Sequence, residues 1–317
     1  MDETIGIDEA IGPFWRDARR WQDRWEAIGP LGEGRHGSTH LARRADGSDP
    51  TPRFLKVLKA QHKPQMRRQL AREAAALHIL RHPRIPRLVE SNAHRHAEVR
   101  DHELYLVADH VAGPRLDQAV GRLDQAVGAG HPLGLEAALA LADGLLDVVG
   151  HCHERDRVHR DIRPENVVLR GGDPADPVLV DFNLAVNWRG ATHVSRGWRD
   201  HRDPRVDVTQ VARLLYYALT GQFRTPLRDW SGLAPHRRPS EYALLLGLGG
   251  GRARRLLTLL DRAFALRLED RFQTAGELRA ALREVLRPAG PDAAAEVVPV
   301  RPAARFEATS EAPVKAR

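Results

Sequence analysis

The chain has 317 residues, of which 42% are hydrophobic, 29% charged and 5% aromatic, and its formal net charge is +7. This length corresponds to about two domains, or to one domain with two lobes. The apolar fraction is high enough for a core, which excludes wholesale disorder. The single cysteine, Cys152, excludes an intrachain disulfide framework and a multi-cysteine zinc site.

The location of the protein is also constrained by the sequence. No uninterrupted apolar run approaches the roughly 20 residues that cross a bilayer, so we expect no membrane span. Residues 1–10 are acidic and lack the basic start and apolar stretch of a signal peptide, which predicts a cytoplasmic protein. No aromatic-basic binding motif accompanies the positive charge, so we expect no nucleic-acid partner.

The first third of the chain is predicted to be rich in strands. A polar leader over residues 1–24 comes first. Alternating or continuous apolar runs bounded by turn residues predict strands at residues 25–28, 38–43, 53–58 and 104–111. Apolar residues at helical spacing predict one helix over residues 65–81, which a His-Pro pair ends.

The remainder is predicted to be mostly helical. The apolar pattern predicts helices over residues 135–153, 206–220, 252–267 and 274–287. Short strand-like pieces lie at Val167–Leu169 and Val178–Val180. Pro, Ala, Glu and Arg dominate residues 288–317, which predicts a flexible tail. The order of elements predicts an α+β fold.

Three glycines form a Gly-x-Gly-x-x-Gly motif at Gly32, Gly34 and Gly37. Glycines let the backbone approach a phosphate closely, and their amides can donate hydrogen bonds to it. A dinucleotide-binding fold would place a helix after this motif, whereas a strand is predicted here. The pattern favours a glycine-rich flap in a hairpin, with a plain tight hairpin as the alternative.

A lysine inside an apolar strand gives the next signal. Lys56 lies in the run Arg-Phe-Leu-Lys-Val-Leu, where burial is costly unless the charge is paired. Glu73, on the next predicted helix, is the candidate partner. Held in this way, Lys56 could bind nucleotide phosphates as a fixed cation. An exposed lysine on an edge strand is the alternative.

The most specific stretch is His159–Asn166. In it, Asp161 could accept the proton of a hydroxyl group, Arg163 could neutralise a transferring phosphate, and Asn166 could coordinate a metal. Farther along, Asp181 ends a strand that looks buried, where a hard divalent cation would explain a carboxylate.

Together these motifs resemble those of the protein kinase family, in particular the eukaryotic-like Ser/Thr protein kinases of bacteria, over about residues 25–287. Asp207 looks like the anchoring aspartate of the family's central helix, and Arg271 like its late structural arginine. The resemblance implies a two-lobed fold. A small β-rich N-lobe with one main helix would span residues 25–110, and a larger, mostly helical C-lobe residues 111–287.

By this resemblance, the protein would transfer the γ-phosphate of ATP to protein hydroxyls in a signalling or regulatory role. ATP and Mg²⁺ would bind in the cleft between the lobes. Lys56 would hold the α- and β-phosphates and Glu73 would hold Lys56. Asn166 and Asp181 would bind Mg²⁺, and Asp161 would orient the substrate hydroxyl. The residues implied in catalysis are Asp161, Arg163, Lys56 and Glu73.

The resemblance also implies a nucleotide-binding cleft with a hinge at residues 108–111 and the small Ala108 at the gatekeeper position. The implied nucleotide-binding residues are Gly32, Gly34, Gly37, Thr39, Phe54, Lys56, Ala108, Asp109, Val111 and Val168. The sequence identifies no protein substrate. A signal would reach the domain through a regulatory partner, through self-association or through the two ends of the chain.

Four positions depart from the family pattern. Arg163 stands where Ser/Thr kinases usually carry lysine, and Asn183 replaces the glycine of Asp-Phe-Gly. Phe54 replaces a small residue that packs on adenine, and it could either stack on the base or fill its pocket. Thr39 replaces the valine of the same wall.

These departures leave two alternatives open. One is a pseudokinase that acts as a nucleotide-sensing scaffold without useful turnover. The other, suggested by a short activation segment that lacks a clear Ala-Pro-Glu ending, is a kinase-like enzyme that phosphorylates a small molecule.

Overall fold

The computed structural model describes residues 20–34, 37–59, 63–95, 103–120, 133–187, 203–223, 232–248 and 250–287. The predicted tail 288–317 and residues 1–19 of the predicted leader lie outside these residues.

Five strands form the N-terminal lobe: β1 (Trp25–Gly34), β2 (Gly37–Arg44), β3 (Arg53–Leu58), β4 (Leu88–Ser91) and β5 (Leu104–Asp109). They pair in one antiparallel sheet in the order β1-β2-β3-β5-β4. The predicted strands are therefore present, with boundaries shifted by a few residues. Strand β4 was not predicted, because its four residues are too few to show a period.

Helix α1 (Pro64–Ile79) is the main helix of this lobe. It begins at a proline, whose missing N–H is not needed in the first helical turn. Leu70, Ala74 and Leu77 follow at helical spacing and are buried, which fixes the face that packs on the sheet. The helix ends where Leu80 takes an extended conformation. The buried face also carries Glu73, which is 3% exposed.

The second lobe is mostly helical. Its helices are α2 (Leu135–Glu154), α3 (Arg205–Thr220), α4 (Pro239–Leu246), α5 (Gly250–Ala263) and α6 (Ala275–Leu286), and residues 116–120 are also helical. The strands β6 (Val167–Leu169) and β7 (Pro177–Leu179) form a small antiparallel sheet. Helix α4 was not predicted. Among the described residues, no helix combines the length and the apolar character needed to span a membrane.

The helix predicted over residues 252–267 is shorter at its end than expected. Phe264, Ala265 and Leu266 continue the apolar run, but the helix ends at Ala263 and the Leu266 side chain is 76% exposed. Phe264 packs in the core just after the helix ends, whereas the apolar run continues to the exposed Leu266.

One hydrophobic core runs through both lobes and joins them, from Leu77 and Leu88 to Phe182, Leu139 and Leu214. A second, smaller cluster lies on the opposite face of the sheet. The predicted class is confirmed: a small β-rich lobe with one main helix, and a larger, mostly helical lobe.

Strand β3 has one face towards each of these two clusters. Leu55 and Val57 lie in the smaller cluster, whereas Phe54 packs on the main core and Leu58 belongs to it. Because side chains alternate along a strand, Lys56 shares the face of Phe54 and Leu58. This alternation positions the site described below.

Candidate active site

Three charged side chains from three elements meet beside β3. The Lys56 ammonium donates a hydrogen bond to Glu73 Oε2 at 2.7 Å and another to Asp181 Oδ1 at 3.1 Å. The side chains of Lys56 and Glu73 are only 9% and 4% exposed. The structure therefore joins β3, α1 and the segment after β7 through one buried cation.

The environment of Lys56 keeps it charged. Burial alone would disfavour its ammonium form, but the carboxylates of Glu73 and Asp181 outweigh that effect and hold the pKa of Lys56 above its ordinary value. Lys56 is thus a fixed positive charge on the wall of the site.

Asp181 lies at a conformationally unusual point of the chain. Its backbone has φ 63° and ψ 67°, in the left-handed region that few residues other than glycine adopt. A short 3₁₀ turn, Phe182–Leu184, follows it. The ring of Phe182 is buried, and its centroid lies 4.6 Å from that of His159 in an edge-on contact. The side chain of Asn183 donates to Asp181 Oδ1 at 2.8 Å.

Helix α3 holds the segment that carries Asp161. The fully buried carboxylate of Asp207 accepts hydrogen bonds from the backbone N–H groups of His159 and Arg160, both at 2.8 Å. One turn later, Gln210 accepts from the N–H of Ile162 at 2.9 Å and donates to the carbonyl of Arg160 at 3.0 Å. Sequence reasoning missed Gln210. Its position three residues after Asp207, on the same helix face, was the available signal.

Asp161 and Asn166 lie in contact with each other. The side-chain amide of Asn166 donates to the Asp161 backbone carbonyl at 2.8 Å and to Asp161 Oδ2 at 3.0 Å. Among the described residues, none donates a hydrogen bond to Asp161 Oδ1. One carboxylate oxygen of Asp161 is therefore fixed, while the other accepts no hydrogen bond from the described residues.

Arg163 is paired with a neighbouring glutamate rather than with Asp161. Its guanidinium binds Glu165 through two hydrogen bonds, at 2.8 and 2.6 Å, and its side chain is 48% exposed. These hydrogen bonds raise the pKa of Arg163 further. The role of neutralising a phosphate stays a prediction for this residue.

The glycine-rich turn joins β1 to β2. Gly37 has φ 105°, and a Cβ atom there would lie 2.2 Å from the carbonyl oxygen of Val57, so only glycine fits. At Gly32 a Cβ would meet only Thr39 Oγ1, at an ordinary 3.6 Å. Packing inside the protein therefore does not require glycine at position 32. Thr39 donates its hydroxyl to the Gly32 carbonyl at 3.0 Å, and Gly34 pairs with Gly37.

A large and a small residue face each other next to Lys56. Phe54 on β3 and Ala108 on β5 are cross-strand partners, and residues opposite each other in a sheet share a face. Phe54 is partly buried against the main core, and Ala108 is 2% exposed. Val168, on β6, is also partly buried. The phenylalanine therefore occupies the sheet face that also carries Lys56.

Two arginines of the N-terminal lobe lie close to the first acidic residue of the predicted hinge. Asp109, at the end of β5, forms an ion pair with Arg53 on β3, and its other carboxylate oxygen is 3.6 Å from Nε of Arg87. Val111, two residues later, is partly buried. Within the predicted hinge, the side chain of Asp109 is thus attached to the N-terminal lobe.

The donor atoms near Asp181 suit a hard divalent cation. Asp181 Oδ1 accepts both hydrogen bonds described above, whereas no described residue donates to its Oδ2. The amide nitrogen of Asn166 is occupied by Asp161, and no described residue donates to the Oδ1 of Asn166. Carboxylate and amide oxygens are the ligands that Mg²⁺ prefers, so these two residues fit such an ion.

Comparison with known proteins places this geometry in a family. A family model described as protein kinase domain matches residues 25–207. The chain is similar to CBL-interacting protein kinase 21 of Oryza sativa subsp. japonica, with 30% identity over 217 residues, or 62% of this chain and 38% of that protein. It is also similar to Serine/threonine-protein kinase D of Synechocystis sp., with 29% identity over 185 residues, or 55% and 33% of the two chains. The chain therefore spans well under half the length of these two relatives.

A solved structure matches more of the chain. The kinase domain of Mycobacterium tuberculosis PknI superposes with a TM-score of 0.57 and 23% sequence identity. The match covers 83% of this chain and 96% of that one. At 23% identity the structural similarity establishes only the fold of this chain, which is that of a kinase domain.

Proposed function

The chain belongs to the protein kinase family, and we propose that it is a Ser/Thr protein kinase that uses ATP and Mg²⁺. The observation that carries the proposal is the ion-pair chain from Glu73 through Lys56 to Asp181. Beside it, Asn166 holds Asp161 with one carboxylate oxygen left for a hydroxyl group. Phosphoryl transfer needs a fixed cation, metal-binding oxygens and a carboxylate that orients the attacking hydroxyl.

Each residue has a distinct part in this proposal. Lys56 binds the phosphates, and Asp161 accepts the hydroxyl proton. Asp181 and Asn166 hold Mg²⁺, which neutralises charge on the phosphates when it is bound. The glycines at the end of the β1–β2 hairpin let the backbone approach the phosphates closely, and Arg163 adds positive charge. The residues proposed around the nucleotide are Gly32, Gly34, Gly37, Thr39, Phe54, Ala108, Asp109, Val111 and Val168.

The proposal extends to the limits of the domain and to its partners. The complete kinase domain spans residues 25–287, with the N-lobe over 25–110 and the C-lobe over 111–287. Burial of α5 and α6 in the same core as α3 supports including the residues after 207. The acceptors are protein hydroxyls in a signalling or regulatory setting.

Intact mass spectrometry tests this proposal. Phosphatase-treated protein is incubated with Mg²⁺ and ATP, alone and with casein or myelin basic protein, beside the matched variant Asp161→Asn. Phosphate added to any of these proteins by the wild type, and not by the variant, would support the proposal. No phosphate on any of them in the wild-type samples would speak against a general protein kinase.

A nucleotide-sensing scaffold is the second candidate, and Phe54 is the observation that favours it. Its side chain lies on the same sheet face as Lys56 and opposite Ala108, where a nucleotide base would bind. Binding of ADP with Mg²⁺ by a protein that transfers no phosphate would favour the scaffold over the enzyme.

A further inference from the structure

Asn183 has a buried polar side chain that the proposed chemistry does not use. It lies two residues after Asp181 in the turn Phe182–Leu184, and it is only 4% exposed. It borders a narrow cavity together with Lys56 and four residues of helix α1, among them Glu73 and Leu70. Because a buried amide is costly unless its polar atoms are satisfied, the hydrogen bond that Asn183 makes is needed to offset its burial.

That hydrogen bond goes to Asp181. The Asn183 amide donates to Asp181 Oδ1 at 2.8 Å, and Lys56 donates to the same oxygen at 3.1 Å. One carboxylate oxygen therefore accepts two hydrogen bonds, one from β3 and one from the turn itself. Rotation of the carboxylate would break both bonds, so its second oxygen, Oδ2, is held in one direction.

The backbone of Asp181 also has a conformation that depends on its surroundings. Asp181 has φ 63°, a conformation that persists in a residue other than glycine only where the surroundings hold it. Lys56 is itself fixed by Glu73 at 2.7 Å, so one of the two supports belongs to α1 and β3. Asn183 supplies the other from the turn side. With glycine in its place, this second support would be absent.

We propose that Asn183 is a positioning residue, whose buried amide orients Asp181 so that Oδ2 is presented to Mg²⁺. The inference rests on the proposed function, since it concerns the same metal site. It assigns to this chain a second fixed donor on the metal-binding carboxylate, in addition to the lysine.

Calorimetry of ADP binding at increasing Mg²⁺ concentration, in the full chain, tests the inference. Asn183→Ala removes the donor, and Asn183→Leu removes it while keeping the branched shape of the side chain. We expect the Mg²⁺ concentration that gives half of the full increase in ADP affinity to rise about ten-fold in both variants. This is the lower end of the loss in metal affinity that follows removal of a residue that orients a metal ligand. Affinity for ADP without Mg²⁺ should stay within about two-fold of wild type, which is under about 0.4 kcal/mol.

A matched control separates positioning from stability. Leu70→Ala alters the same cavity without removing a hydrogen bond, so it should lower the melting temperature and leave the Mg²⁺ dependence unchanged. A wild-type Mg²⁺ dependence in Asn183→Leu, or an equal shift in Leu70→Ala, would overturn the inference alone. A wild-type protein that binds no ADP with Mg²⁺ would overturn both the proposed function and the inference.

Discussion

The two ends of the proposed nucleotide cleft share strand β3, which carries Lys56 at one end and Phe54 at the other, but they depart from the family pattern to different degrees. At the phosphate end (Lys56, Glu73 and Asp181) the predicted residues are all present and are joined at 2.7 and 3.1 Å. At the base end (Phe54, Ala108 and the hinge) a large residue has replaced a small one opposite an alanine. A buried ion needs its specific partner, whereas an apolar wall needs only a suitable total volume, which a large Phe54 opposite a small Ala108 can supply.

The largest expected effect comes from breaking the phosphate end with Lys56→Met. This change leaves the carboxylate of Glu73 buried without a cation, which should lower the free energy of unfolding by about 3–5 kcal/mol and abolish binding of ADP with Mg²⁺. Urea denaturation and calorimetry measure the two effects.

The double variant Lys56→Met/Glu73→Leu is the control for this experiment. It has no unpaired carboxylate at position 73, so it should recover much of the lost stability without recovering nucleotide binding. A double variant no more stable than Lys56→Met would contradict the ion-pair explanation.

A smaller effect is expected at the base end from Phe54→Ala. Because Phe54 is only partly buried, the stability loss should be about 1–2 kcal/mol, below that of a fully buried phenylalanine. The space opened beside Ala108 should admit a larger base, so N6-benzyl-ADP should bind at least about ten-fold more tightly than to wild type, or about 1.4 kcal/mol. Calorimetry with both nucleotides measures this difference.

Phe54→Leu, which keeps much of the volume, serves as the matched control and should discriminate against the bulky nucleotide as the wild type does. Equal affinity of wild type and Phe54→Ala for N6-benzyl-ADP would show that Phe54 does not border the base.

The two ends also show which features of the site could be predicted from the sequence. The Lys56–Glu73 contact was predictable, because a lysine inside an apolar strand is costly to bury unless its charge is paired. Phe54 was recognisable as a departure through the family resemblance, which implies a small residue two positions before the lysine.

What could not be predicted is the direction of polar side chains. The amide of Asn183 turns to Asp181, the hydroxyl of Thr39 to the Gly32 carbonyl, and the guanidinium of Arg163 to Glu165. These choices depend on local rotamers and on competing partners, which a one-dimensional pattern does not encode.

The Asp109–Arg53 ion pair at the base end and the Lys56–Glu73 ion pair at the phosphate end differ in how deeply they are buried. The Asp109 and Arg53 side chains are 37% and 13% exposed, against 9% and 4% for Lys56 and Glu73. Asp109→Asn should therefore lower the free energy of unfolding by only about 0.2–1 kcal/mol. Urea denaturation at two salt concentrations measures it, since the more exposed pair should weaken with salt.

Asp49→Asn is the matched control, because Asp49 is the second partner of Arg53 and lies outside the hinge. It should leave ADP affinity unchanged, whereas Asp109→Asn should weaken it a few-fold by loosening the hinge. The same ADP affinity in both variants would show that the Asp109 ion pair does not support the base end.

The smallest expected effect is a pH dependence of stability that also differs between the ends. Burial lowers the pKa of His159, near the phosphate end, and that of His110, in the hinge. The unfolded chain, with histidine pKa values near about 6.5, therefore binds more protons than the folded one below that pH. The free energy of unfolding should fall as the pH drops below about 6.5 and stay level above about 7.5.

His159 should account for more of this fall than His110. His159 is 1% exposed, and its ring bonds the Val180 carbonyl and the Asp161 N–H, whereas His110 is only partly buried. In urea denaturation at pH 7.5 and 5.5, His159→Phe should be less stable at both values but should lose less stability between them than wild type. His110→Gln should keep nearly the wild-type difference. If His110→Gln removed the larger share instead, the hinge rather than the phosphate end would contain the more strongly desolvated histidine.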